Sequence, residues 1–257
     1  MIIYCYVLLY RNDFELVKLL MKYTKENNII MDINGKDKDE YYYPLLCATN
    51  KNNIETVKLL MEYAKENNII MDINENNSYC SFPLLYATDK NNIEMIKLLI
   101  EYAKENNIIL KINKKNNDDN FHLIIAIKNE NTEMIKLLMN HAKENNIILN
   151  ISEKNKDDYY PLFYVTYGDN IEIIKLLMEY AKDNNIFMDI NERRRNSNYP
   201  FLNAIKNYNI EMVKLLIEYS KENNSILEIN EKNEEGDYPL LCAQKNNNVD
   251  MVNLLVE

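Results

Sequence analysis

The chain has 257 residues, a hydrophobic fraction of 47% and a formal net charge of −10, with three Gly, five Pro and no Trp. The apolar fraction is ample for a core, whereas the charge opposes a phosphate-tracking surface, which needs clustered Lys and Arg to displace counterions. Nucleic acid is therefore not expected as a partner, and a basic membrane-binding helix is disfavoured because Lys on the predicted helices alternates with Glu at three- and four-residue spacing.

The opening segment, Met1 to Tyr10, is apolar like the core of a signal peptide. It lacks a basic flank and a small-residue cleavage site, and it is far shorter than the ~20 apolar residues that cross a bilayer. Counting back from Lys18 places it on the first helix of a repeat, so no leader or membrane segment is expected.

From there a unit returns every 39 residues: Pro44, Pro83, Pro161, Pro200 and Pro239 mark it, with His122 in the remaining place. Lys58-Leu59-Leu60 recurs with the same period as Lys97-Leu98-Leu99, Lys136-Leu137-Leu138, Lys175-Leu176-Leu177 and Lys214-Leu215-Leu216. A fixed period of this size is the signature of a stacked array, whose units cover one another's apolar faces. Length then tracks repeat number, and the expected division is a partial repeat 1–42, repeats 43–81, 82–120, 121–159, 160–198 and 199–237, and a partial repeat 238–257, all in one array.

Within a unit, Tyr43 to Thr49 reads as a short helix with Pro44 at its first position, where the missing N–H costs nothing. Asn53 recurs as Asn92, Asn131, Asn170, Asn209 and Asn248 before each following apolar segment, where its side chain can cap a second helix. That helix, about Ile54 to Glu66, has a broad apolar arc for its neighbours and a charged stripe, Glu55, Lys58, Glu62 and Lys65, for solvent. Asn67-Asn68 ends it, since Asn tolerates the left-handed conformation that closes helices. Ile69 to Asn74 then reads as an extended arm leading through a polar turn to Phe82-Pro83.

These residues resemble the ankyrin repeat family. Its Thr-Pro-Leu-His-x-Ala opening corresponds to Tyr43-Pro44-Leu45-Leu46-Cys47-Ala48 and to Tyr238-Pro239-Leu240-Leu241-Cys242-Ala243, and Gly236 sits at the family's turn position. The resemblance covers essentially the whole chain and implies an all-α repeat solenoid of stacked helix-turn-helix units with projecting β-hairpin-like arms. The family period is 33, and the six extra residues are placed in Tyr63 to Ile70 at the end of the second helix. Tyr or Phe replaces the family's Thr, and Leu, Ile or Phe its His, so apolar packing is expected to replace polar bracing between repeats. A HEAT-like helical solenoid is the alternative, disfavoured by the Ile-Asn arm and the Pro-Leu-x-x-Ala opening.

Cys47 and Cys242 hold equivalent places five units apart, tens of ångströms at about 8–10 Å per stacked helix, beyond disulfide reach. Cys5 and Cys80 have no evident partner, so reduced, mostly buried thiols and an intracellular setting, cytoplasmic or nuclear, are expected. His122 and His141 occupy scaffold positions, and no phosphate loop, nucleophile elbow or metal cluster is recognisable. Neither catalysis nor a cofactor or metal is expected.

The reading is a monomeric, non-enzymatic interaction scaffold that binds a partner protein along its concave face and arm tips. Candidate contact residues are those that vary among equivalent positions: Tyr42, Lys51, Ser81, Lys90, Asn120, Asn129, Tyr159, Tyr167, Arg193, Arg195, Asn198 and Asn207. Arg193-Arg194-Arg195 holds three of the four arginines, and guanidinium groups there would suit carboxylates or phosphate. A second reading is a regulatory or targeting segment of a larger enzyme, because neither end carries a clear capping repeat. A third is a structural spacer with no specific ligand.

Overall fold

A computed structural model describes residues 13–37, 42–194, 198–245 and 247–256. Among them are thirteen helices and no strand. The helix α1 (Phe14–Glu26) is followed by pairs of a short and a longer helix: α2 (Pro44–Asn50) with α3 (Ile54–Glu66), α4 (Pro83–Asp89) with α5 (Ile93–Glu105), and α6 (His122–Lys128) with α7 (Thr132–Glu144). Then come α8 (Pro161–Gly168) with α9 (Ile171–Asp183), α10 (Pro200–Lys206) with α11 (Ile210–Glu222), and α12 (Pro239–Lys245) with α13 (Val249–Val256). Two compact units are distinguishable: the described residues up to Asn117 together with Asn140–Asn146, and Asp118–Met139 together with the described residues from Ile147 onward. The opening segment through Tyr10, Cys5 included, lies outside the described residues, as do Tyr41 and Arg195.

Local chemistry sets the helix ends. The side chains of Asn53, Asn92, Asn131, Asn170, Asn209 and Asn248 each accept a hydrogen bond from the backbone N–H three residues on, at 2.8–3.1 Å. They satisfy donors that have no intrahelical partner. Second helices end where Asn68, Asn107, Asn146, Asn185 and Asn224 take φ between 51 and 55°, as the Asn-Asn pairs predict.

Among the described residues the arms form turns without strands, and the expected β-hairpin-like arms are not seen. Asn77 N–H donates to the Ser81 carbonyl at 3.0 Å, and the Asn77 Oδ1 accepts from the N–H groups of Tyr79 and Ser81. Asn155 repeats this with Asp157 and Tyr159. A side chain that captures two backbone donors closes a compact turn and leaves no ladder to propagate. The turn then needs a left-handed residue: Cys80, Asp119, Asp158 and Gly236 all have positive φ, and only Gly236 adopts it without a Cβ penalty.

Within each unit, first helices pack on first helices and second helices on second helices. Polar bracing between repeats is present, contrary to the expectation that apolar packing replaces it. The reason is that other side chains supply it. Within a repeat, Tyr43 and Tyr199 occupy the family's Thr position, are fully buried, and donate their hydroxyls to the carbonyls of Glu75 and Glu228 in the same repeat's arm at 2.6 and 2.8 Å, whereas asparagines act between repeats. Asn34 bridges the next arm in both senses, donating to Ile70 O and accepting from Asp72 N–H; Asn74 and Asn191 do the same farther along. On the solvent side, Lys58–Glu94, Lys136–Glu172 and Lys175–Glu211 join adjacent second helices at 2.8–3.0 Å. Exposed pairs of this kind contribute little each.

A further brace recurs four times: the hydroxyl oxygens of Tyr63, Tyr102, Tyr180 and Tyr219 accept the N–H of Met31, Met71, Leu149 and Met188 at 2.8–2.9 Å. His141 holds the equivalent place, is buried, and its Nε2 has no hydrogen-bond partner. Lys104 and Glu144 line the open groove beside it, together with apolar Ile100 and Ala103. Burial lowers the imidazole pKa below its ordinary 6.5, against an opposing pull from Glu144. The native state therefore binds fewer protons than the unfolded chain, so this contribution to stability is lost as pH falls through 6.5 towards the depressed folded value. His141→Tyr is expected to gain about 0.5–1.5 kcal/mol at neutral pH and to remove that part of the slope. Urea midpoints on either side of pH 6.5 check both effects.

Candidate partner-binding surface

The expected contact residues occupy several distinct structural settings. Lys51, Lys90, Asn129 and Asn207 are the C-terminal caps of α2, α4, α6 and α10 and are exposed. The Asn207 amide donates to the carbonyls of Thr166 and Tyr167 at 3.0 and 3.1 Å, closing the end of α8. Tyr42 and Ser81 are half-buried turn residues whose N–H groups are held by Asp37 and Asn77. Asn120 and Asn198 accept hydrogen bonds from the amides of Asn155 and Asn233, one repeat on, at 2.7 and 2.9 Å. These two asparagines serve as clips between successive turns.

Arg193 is also engaged within the chain. Its guanidinium donates to Lys232 O at 3.0 Å, pairs with Glu231 at 3.1 Å and lies 5.5 Å above the Tyr199 ring. Burial raises the Tyr199 hydroxyl pKa, with Arg193 pulling the other way. The hydroxyl accordingly stays a donor to the neighbouring turn.

Tyr159 and Tyr167 lie together in the second unit. Tyr159 stands where Asn120 and Asn198 stand in their repeats, and Arg194 where Asn155 and Asn233 stand. The clip becomes a cation–π contact: the Arg194 guanidinium carbon is 3.5 Å from the Tyr159 ring centroid, and its Nε donates to Asp157 O at 3.0 Å. Beneath it, Tyr159 stacks on Tyr164 at 4.7 Å and meets Phe163 edge-on at 5.5 Å. Phe163 then stacks with Tyr167 at 6.4 Å. Proline at the start of α8 sets the helix, and Phe163 and Tyr167, one turn apart, share a face. Burial raises the Tyr164 pKa, so its hydroxyl remains neutral.

The result is an aromatic stack whose middle ring, Phe163, is buried in the core, while Tyr159 is half-buried and Tyr167 68% exposed, with a cation over the Tyr159 end. It brings together Tyr159, Tyr167 and Asn207 of the called residues. Phe163 and Tyr164 were missed, and Arg194 was seen only as one of three loop arginines. The available signal was the simultaneous change at two positions 35 residues apart, from Asn120/Asn155 and Asn198/Asn233 to Tyr159/Arg194. Among the described residues no group of three or more His, Cys, Asp or Glu could hold a metal ion, and no helix is long and apolar enough to cross a membrane.

The family profile of ankyrin repeats in three copies matches residues 4–110, 106–188 and 184–257. The chain belongs to the ankyrin repeat family. Solved ankyrin structures agree with it in fold. The ankyrin repeat domain of Bcl-3, described as a unique member of the IkappaB protein family, is 18% identical with a TM-score of 0.60 over 84% of this chain and 85% of that one. An ankyrin repeat domain from Acinetobacter baumannii is 18% identical with a TM-score of 0.61 over 83% and 96%. No curated protein sequence matches this ankyrin chain. At such identities the structural likeness speaks for the fold alone. Ankyrin repeats generally mediate protein–protein interactions, and ankyrin repeat proteins are generally non-enzymatic.

Proposed function

We propose that this chain is a monomeric, non-enzymatic scaffold that binds a partner protein through its concave face and arm tips. The surface of Tyr159, Tyr167 and Arg194, backed by the buried Phe163, is its anchor. The observation that carries this reading is Tyr167, which ends an aromatic stack yet is 68% exposed. Aromatic side chains and arginine dominate the energetics of protein interfaces, because they give large, stiff contact areas with a polar handle. The net charge of −10 argues for a protein rather than a nucleic acid in that place. The exposed helix caps Asn129 and Asn207 of the same unit would form the rim, where contacts exclude water and contribute little each.

Affinity purification of the full chain from its native cells, followed by mass spectrometry, tests the reading. A saturable partner recovered with wild type and depleted with Tyr167→Ala supports it. Equal recovery of every specific partner by both proteins would count against this patch, and the lack of any saturable partner would leave the spacer reading in its place.

A further inference from the structure

The arms after the second helices carry an apolar side chain that faces solvent. In the first unit these are Ile30, Ile70 and Ile109, and in the second Ile148, Phe187 and Ile226, all between 51 and 85% exposed. The residues that follow, among them Met31, Met71, Leu110, Leu149 and Met188, are buried. Extended backbone sends alternate side chains to opposite sides, so the core is served by the inner residue and the outer one is not needed there. A lone exposed isoleucine needs no explanation; the same position apolar in every described arm does.

In the second unit one of these residues borders a groove. Phe187 stacks on Tyr219 at 6.5 Å, and with Met178 and Leu215 it lines a trough of about 730 Å³ between α9 and α11. The charged residues on its rim are Glu179, Glu218 and Glu222 against the single Lys182. In the first unit the α3–α5 trough shares this sign, with Glu62, Glu66, Glu101 and Glu105 against Lys58 and Lys65. The α1–α3 trough does not, having Lys18, Lys22 and Lys25 against Glu62 and Glu66. The acidic rim is therefore a property of particular grooves and not of the whole second-helix side.

We infer that the α9–α11 groove is a second docking surface, on the second helices, and that its occupant is a cationic amphipathic helix of a partner protein. The apolar lining calls for an apolar stripe. The acidic rim calls for Lys or Arg beside it, and a trough between two packed helices matches the ridge of a third. A second copy of this chain is a poorer occupant, because a two-fold contact would set the same acidic rim against itself. This surface does not involve the aromatic patch on α8, so either assignment can fail alone.

The test is a display library of helical peptides randomised among Lys, Arg, Glu, Gln, Leu and Ala, panned against the full chain. Enriched peptides should carry a Leu stripe flanked by Lys or Arg. Their affinity should fall about tenfold or more in both Phe187→Ser and Glu218→Lys/Glu222→Lys. The second variant alters only exposed side chains, so its melting temperature should stay at the wild-type value. Enrichment without cationic bias, binding that survives both variants, or self-association of the chain that Phe187→Ser abolishes would each overturn the inference.

Discussion

Tyr199→Ala is expected to lower stability by about 3–5 kcal/mol, the range for deleting a large aromatic side chain from a packed core. The ring is fully buried, it holds the extended residue that precedes Pro200, and its hydroxyl reaches Glu228 O in the next turn at 2.8 Å. Removing it leaves a cavity at the junction of two repeats and strips a carbonyl of its donor. Tyr199→Phe isolates the second effect and should cost about 1 kcal/mol. The difference between the two variants separates packing from the clip, and urea unfolding of both measures it. Because repeat stability is a sum of unit and interface contributions, Tyr199→Ala should also broaden the transition. A loss of under about 1 kcal/mol for the alanine variant would mean that the junction carries little of the coupling.

The second expected result concerns the exchange of Tyr159 and Arg194 for the pair found in adjoining repeats. Arg194→Ala alone removes a cation held 3.5 Å from a ring and should cost about 0.5–2 kcal/mol. Tyr159→Asn alone leaves the guanidinium without its platform and should cost a similar amount. The double variant Tyr159→Asn/Arg194→Asn recreates the contact that Asn120 makes with Asn155 and Asn198 with Asn233. It should therefore be more stable than the sum of the singles predicts, a coupling that a double-mutant cycle reads directly. Partner binding should not recover with it. The new pair restores the scaffold contact and removes the Tyr159 ring and the Arg194 cation while leaving Tyr167 in place, so binding falls about thirtyfold or more, the loss of an interface hot spot.

The sequence made the local requirements of the backbone legible and the contacts between repeats much less so. Pro44, Asn53 and Asn68 each answer to a need of the residue's own helix end, so their roles follow from composition and position alone. Tyr63 and Asn34 act on backbone groups 32 to 38 residues away, and no propensity encodes that. The turn at Asn77 was read as a hairpin because extended residues precede it, but the side-chain amide takes the donors a ladder would use. The position of Tyr42, Ser81, Asn120, Tyr159 and Asn198 varies among repeats as a partner surface would, yet Asn120 and Asn198 spend their side chains on the amides of Asn155 and Asn233. The apolar arm residues Ile30, Ile70, Ile109, Ile148, Phe187 and Ile226 recur with the repeat, yet their side chains face solvent, which periodicity alone does not reveal.

The central claim is that Tyr159 and Arg194 depart from the repeat pattern for binding and not for stability. Its most direct measurement is a calorimetric titration of the purified partner into wild type and into Tyr159→Asn/Arg194→Asn, with the melting temperature of each taken in the same buffer. The account predicts melting within a few degrees, about 1 kcal/mol, and an affinity weakened about thirtyfold. Equal affinities at equal stability would contradict it.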